Sequence, residues 1–295
     1  DALPISIVIP YANGGQLTDF SSYGWSSDGE FKPDITAPGG LIYSSINNNK
    51  YMTMSGTSMA TPHIAGAVAL VRESLNKRHP EITGDREYDV IKALMMSTAD
   101  PVKEKGTENY VSPRKQGAGA VNVEKATSTD IYVVDSENNP KVRLNDVDSK
   151  FDINLKVVNI GKEAKTLKYK TILGTDAVAD GKFALKTNTL ETIQGKEITV
   201  PANSSVDVKI TVDASKYDAE LSKQMPNGYF LEGFVFFEDA KDNTKEVSMA
   251  FSGFKGKWAN VPLWEKPVYE FDLSKEFPMY MLQGNTYTGD VTSLV

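Results

Sequence analysis

Between Ser58 and about Leu75 the apolar positions recur at helical spacing. Ile64, Ala67, Val68, Val71 and Leu75 form one stripe, and Ala60, Ala65, Gly66 and Ala69 fill other faces. Small residues on several sides predict a helix crowded by neighbours, as at the centre of an α/β domain. A second helix is predicted over Arg86–Ala99, with Val90, Ile91, Leu94 and Met95 on one face, and a short one from Val123 to Ala126. Apolar runs at Leu3–Pro10, Ile35–Ala37, Leu41–Ile46 and Tyr51–Met54 read as short strands. Asn13-Gly14, Pro38-Gly39-Gly40 and Asn47–Asn49 are the turns that break them. Strands alternating with helices argue for an α/β layer arrangement in this part.

Near Thr127 the texture changes. Strand-like runs follow at Ile131–Val134, Phe151–Val158, Leu167–Ile172, Glu197–Val200, Val206–Val212, Tyr229–Phe237 and Val247–Phe251. Asn159-Ile160-Gly161, Ala202-Asn203 and Asp242-Asn243 separate some of them, and Asp213–Gln224 reads as a helical turn. So many short strands in one stretch predict an antiparallel β-sandwich. After Trp258 the pattern weakens. The expected organisation is an α/β part over 1–127, a sandwich over 128–258, and a connector or the start of a further β domain over 259–295.

Composition narrows the partners. The chain has 295 residues, 40% hydrophobic, with a net charge of −7. That length suits two ordinary domains, and the negative balance argues against nucleic acid, which needs a basic patch. Cysteine is absent, which excludes a thiol nucleophile, disulfides and a Cys-based zinc site. No apolar run reaches the ~18 residues of a membrane span. Asp1–Ile5 lacks the basic n-region of a signal peptide. The expectation is that any export or anchoring signal lies outside this piece.

The candidate chemistry sits in Ser55-Gly56-Thr57-Ser58-Met59-Ala60-Thr61-Pro62-His63-Ile64-Ala65. It places Ser58 between a glycine turn and the first turn of a helix. There, unpaired N–H groups and the positive dipole end suit a developing oxyanion. Two other readings compete. A Ser or Thr at this place can simply cap a helix. The nucleophile elbow G-x-S-x-G fits poorly, because Ala60 stands where its second glycine should be.

Gly56-Thr57-Ser58-Met59-Ala60-x-Pro62-His63-x-Ala65-Gly66 resembles the nucleophile motif of subtilisin-like serine peptidases. Phe20–Gly24 and Lys32-Pro33-Asp34-Ile35-Thr36-Ala37-Pro38-Gly39 look like the segments preceding it in that family, and Gln116–Asn122 like its last turn and helix. Two longer stretches are similar to the cell-envelope proteinases of streptococci and lactococci: Ser112-Pro113-Arg114-x-Gln116-Gly117-Ala118-Gly119 and Gln224–Phe234. The resemblance implies part of an α/β subtilisin-like domain, a parallel sheet with helices, followed by an all-β fibronectin-III-like sandwich. It implies Ser58 as nucleophile, with its backbone N–H and the Thr57 hydroxyl supporting an oxyanion. It implies hydrolysis of protein or peptide substrates outside a bacterial cell, at its surface or wall. No cofactor is required. Calcium occurs in relatives, but no loop follows D-x-[DN]-x-[DN]-G and no ligands are placed here.

A serine hydroxyl needs a base, usually a His oriented by a carboxylate. The chain has two histidines. His63 lies five residues after Ser58, roughly 140° around a helix axis, so its ring should point away. It reads as a packed helix residue, and His79, in Lys77-Arg78-His79-Pro80, as a solvated loop residue. In the family the base, its Asp and the oxyanion Asn lie in upstream motifs that are not found here. Asn13 imitates that Asn, but its composition is that of a hairpin turn. The resemblance therefore implies a fragment that works with the upstream remainder of its peptidase domain. The alternative is a non-catalytic surface binding module, using the sandwich and aromatics such as Tyr217, Tyr229, Trp258 and Trp264.

Overall fold

The computed structural model describes residues 14–26, 28–179 and 182–261, and two short paired segments at Leu282–Gln283 and Thr286–Tyr287. The strand expected at Leu3–Pro10, the turn residue Asn13 and Trp264 lie outside the described residues.

Two short antiparallel ladders come first. β1 (Gly24–Trp25) pairs with β2 (Phe31–Lys32), and β3 (Ile42–Ile46) with β4 (Lys50–Met54). Asn48 and Asn49 turn the second hairpin with φ of 62° and 52°, a region asparagine tolerates better than most residues. The helices α1 (Thr57–Arg78), α2 (Asp85–Thr98), α3 (Pro113–Gln116) and α4 (Val123–Ser128) follow. Ser112 caps α3 and Asn122 caps α4 through their side-chain oxygens. The short strand expected at Ile35–Ala37 is reduced to one parallel bridge between Thr36 and Ala120. Apart from that bridge, the expected parallel sheet has no counterpart among the described residues of this part.

The sandwich is built from β5 (Ile131–Asp135), β6 (Val142–Val147), β7 (Lys150–Asn159), β8 (Lys165–Ala179), β9 (Lys182–Val200), β10 (Ser204–Asp213), β11 (Tyr229–Asp239) and β12 (Lys245–Lys255), with helix α5 (Ser215–Gln224) before β11. One sheet has the order β10-β7-β5 and the other β6-β12-β11-β8-β9. All pairs are antiparallel except β12 with β6. Strand β6 had no clear apolar signal in Val142-Arg143-Leu144-Asn145-Asp146-Val147, and β8 and β9 extend past their apolar cores through Thr, Asn and charged residues. Alternation fills the core between the sheets: Ile153, Leu155 and Val157 of β7 and Val208, Ile210 and Val212 of β10 meet Leu167, Val235, Phe237, Val247 and Met249.

Strand β11 is buried on both faces. Its two-residue period sends Leu231, Val235 and Phe237 into the sandwich core. Phe234 and Phe236 face the other way, against Phe31 and Ala250. The near-continuous apolar run at Tyr229–Phe237 is thus explained by a second layer, the N-terminal part, laid on the outer face of this sheet. Helix α1 buries Ala67, Val71 and Leu75 against α2 residues Val90, Ile91, Leu94 and Met95.

Candidate active site

Strand β4 runs through Ser55 and Gly56 into α1, and Gly56 is the N-cap residue with φ 152° and ψ 161°. A side chain strongly disfavours that conformation, so the turn requires glycine. The turn is held from outside. Gly56 N–H donates to Gly39 O at 2.8 Å, and Leu41 N–H donates to Ser55 Oγ at 2.8 Å. A Cβ on Gly39 would come within 2.8 Å of Gly56 O, which accounts for glycine at that place too.

Ser58 is the second residue of α1 and is exposed. No side chain caps this helix, so the capping role for the Ser58 hydroxyl is overturned. Its hydroxyl takes no hydrogen bond among the described residues. Met59 N–H reaches back to Gly56 O at 2.9 Å. The N–H groups of Thr57 and Ser58 belong to the first turn, where no intrahelical acceptor exists. Thr57 is exposed beside Ser58, and its carbonyl accepts from Thr61 Oγ1 at 3.1 Å. Pro62 lacks the N–H that would otherwise bond to the Ser58 carbonyl, so the helix is loosened where the serine sits.

Neither histidine reaches Ser58. His63 Nδ1 lies 2.9 Å from the Met59 carbonyl, within its own helix. The ring is exposed among the described residues rather than packed as its sequence position suggested. His79 corrects the sequence reading more strongly. It is 4% exposed, not solvated, with Nε2 2.8 Å from Asp130 Oδ1 and Nδ1 3.4 Å from Glu81 Oε1. Arg78 also pairs with Asp130. The cause is tertiary, because the end of α1 meets the start of β5. This His–Asp pair is no base for the serine: the 21 helical steps from Ser58 span about 30 Å at ~1.5 Å each.

Three of the four aromatics proposed for a binding surface are used internally. Tyr217 is half-buried and donates to Leu190 O at 2.8 Å, Tyr229 is buried, and Trp258 packs edge-on against Phe254 and beside Phe230 and Trp25. Exposed apolar side chains occur instead on β3, β4 and α1, to either side of Ser58 in sequence. Tyr43, at 69% exposure, stacks on Tyr51, and Leu41, Met52, Met54, Val68 and Leu70 are exposed nearby in sequence. Among the described residues no group of three or more His, Asp or Glu side chains converges to hold a metal. No helix among them is long and apolar enough to cross a membrane, which says nothing of a β-barrel.

Residues 5–119 match the subtilase family and residues 142–251 an Fn3-like domain. A C5a peptidase of Streptococcus pyogenes is 41% identical over 286 residues, covering 96% of this chain and 24% of that protein. The chain belongs to the subtilase family. PII-type proteinases of Lacticaseibacillus paracasei and Lactococcus lactis subsp. cremoris are each 35% identical over 268 residues, or 82% of this chain and 13% of theirs. The chain thus spans about a quarter of the length of the C5a peptidases it matches, at 24%.

The subtilase segment is joined to the Fn3-like domain by buried charges that sequence reasoning did not find. Arg114 forks onto Glu232, Nε to Oε2 at 2.8 Å and Nη2 to Oε1 at 3.1 Å, and also reaches Asp176 Oδ1 at 2.7 Å. Its guanidinium lies 3.7 Å from the centroid of the Phe230 ring. Burial alone would push the Arg114 pKa down, but Glu232 and Asp176 overturn this and hold it above its ordinary value. Lys245 donates to the Thr98 and Ala99 carbonyls at the end of α2, at 3.0 and 2.7 Å. There burial wins, and its pKa is lowered although Asp100 opposes the shift. The only available signal was indirect: Arg114 and Glu232 each sit in one of the two stretches that carried the closer resemblance.

Proposed function

We propose that this chain is the nucleophile-bearing part of a secreted serine endopeptidase, and that Ser58 is the acylated residue. The observation that carries the reading is an exposed, unbonded serine hydroxyl in the first turn of a helix capped by Gly56, in a chain related to peptidases. Ser58 Oγ attacks a peptide carbonyl and its proton passes to an imidazole outside this chain. The Ser58 N–H, supported by the Thr57 hydroxyl, takes part of the charge on the oxyanion. The C–N bond breaks, the imidazole returns the proton to the leaving amine, and water hydrolyses the acyl-serine.

The exposed apolar surface of the β3–β4 hairpin and of α1, which includes Leu70, supports a further part of the reading. That face is where the upstream remainder of the peptidase domain docks, bringing the base, its carboxylate, the oxyanion Asn and the rest of an α/β layer with a parallel sheet. The domain limits that go with this reading are 1–127 for the peptidase part, 128–258 for the sandwich and 259–295 for a connector or further β domain. Substrates are proteins or peptides met outside the cell, at the bacterial surface. A fluorophosphonate probe tests the assignment: it should label the full-length protein at Ser58 and fail on Ser58→Ala. Equal labelling of both would overturn it.

A further inference from the structure

We propose that Lys141, which directly precedes the Fn3-like match, is a positioning residue for Ser58. The proposal rests on the reading of Ser58 as nucleophile. Lys141 lies just before β6 and is 8% exposed. Its ammonium reaches three oxygens of the subtilase segment: Phe31 O at 2.7 Å, Asp34 Oδ1 at 2.9 Å and Glu30 Oε2 at 2.7 Å. It also sits 4.8 Å from the Phe31 ring centroid. Three donors meet three acceptors, so the ammonium is fully engaged. A buried cation without such partners would be costly. The arrangement therefore fixes residues 30–34 relative to the sandwich.

From Asp34 the constraint passes along the backbone. Lys32 holds the other carboxylate oxygen of Asp34 at 2.7 Å. Burial raises the Asp34 pKa, but the two lysines outweigh it and keep the carboxyl below its ordinary value. Asp34 O accepts from Ala118 N–H at 2.9 Å, Thr36 N–H donates to Gly119 O at 2.8 Å, and Thr36 O accepts from Val121 N–H at 2.8 Å. Only Ala37 and Pro38 then separate Thr36 from Gly39, whose carbonyl accepts the Gly56 N–H. Proline's fixed φ stiffens that short link. Lys141 thus connects through anchored steps to the residue that starts α1 and aims Ser58.

Reacting groups must be held to about 0.5 Å, and a 1 Å misplacement can cost about a hundredfold in rate. Arg143 adds a hold on the same segment through Glu30, at 3.0 Å, whereas two charged contacts elsewhere do not share this connection. Lys125 bonds Glu246 at 3.2 Å from α4, and Arg78 meets Asp130 at the far end of α1. Either serves as a control for general loosening of the joint.

The test compares Lys141→Met, Lys141→Arg and Lys125→Met in the full-length protein. Fluorophosphonate labelling is read as separate inactivation rate and binding constants, and hydrogen exchange is read over residues 37–57. For Lys141→Met the expected result is a labelling rate about tenfold slower with the binding constant within about twofold, together with faster exchange over 37–57. Lys141→Arg should recover most of both, and Lys125→Met should match the unsubstituted protein. Unchanged exchange or unchanged labelling rate in Lys141→Met, an equal loss in Lys125→Met, or a change confined to the binding constant would each overturn the proposal while leaving Ser58 as nucleophile. Absence of labelling at Ser58 in the unsubstituted protein would remove both readings together.

Discussion

Arg114 and Glu232 meet in a two-pronged ion pair across the junction of the subtilase segment and the Fn3-like domain, with Glu232 fully buried. Removing one member of such a pair strands the other charge in a poorly solvated place. Arg114→Met should therefore cost about 3–5 kcal/mol in urea unfolding. Arg114→Lys should recover only part, because an ammonium cannot reproduce the planar fork or the stacking on Phe230. A loss below about 1 kcal/mol would mean the pair behaves as a surface contact.

Gly233 lies in the middle of β11 with φ 154°, and a Cβ there would collide with the Ile172 carbonyl of the neighbouring strand. Gly233→Ala should lower stability by about 3 kcal/mol or more, combining backbone strain with overpacking. Thermal unfolding followed by near-ultraviolet circular dichroism measures it. Gly66, where an added Cβ meets open space, is the comparison site at which alanine should be tolerated.

Tyr229 is buried and donates to Asp218 Oδ1 at 2.6 Å. Burial first, and the Asp218 carboxylate second, push its phenol above its ordinary value. A raised phenol favours the neutral form in the folded state. Its contribution is complete below the unfolded value of about 10 and is lost as pH rises toward the folded value. In an ultraviolet titration, the difference between the unsubstituted protein and Tyr229→Phe should show no ionisation near pH 10 until the protein unfolds. A normal phenolate transition at that pH would contradict this.

Leu70 is 53% exposed on α1. Leu70→Ser should change the stability of this 295-residue chain by no more than about 0.5 kcal/mol. If the upstream part of the peptidase domain covers that face, the same change in the full-length protein should cost about 1.5–3 kcal/mol. Equal effects in the two proteins would argue against the docking.

Much of this was readable from residue pattern. The helical spacing from Ile64 to Leu75 became α1, although only Ala67, Val71 and Leu75 are buried instead of the helix being crowded on several sides, and Val90, Ile91, Leu94 and Met95 became the buried face of α2. The Asn203 and Asn243 turns adopt the positive φ that their residue type suits. The glycine turn before Ser58 was also legible, because the positive φ of Gly56 is a requirement that residue type reveals directly. What escaped was tertiary. His79 looked solvated beside Lys77 and Arg78, yet Asp130 covers it from 51 residues away. Nothing local marks Lys141 or Arg114 as buried, because the partners that enclose them lie far away in sequence. Strand β6 was missed because its pattern of small apolar and charged residues acquires meaning only beside β12.

Covalent labelling of the full-length protein decides whether Ser58 is an activatable hydroxyl. Mass spectrometry of the fluorophosphonate-treated protein should place the adduct on Ser58, with His63→Gln still labelled and Ser58→Ala unlabelled at unchanged thermal stability. An adduct elsewhere, or none on a folded protein that still cleaves peptide bonds, would contradict the account.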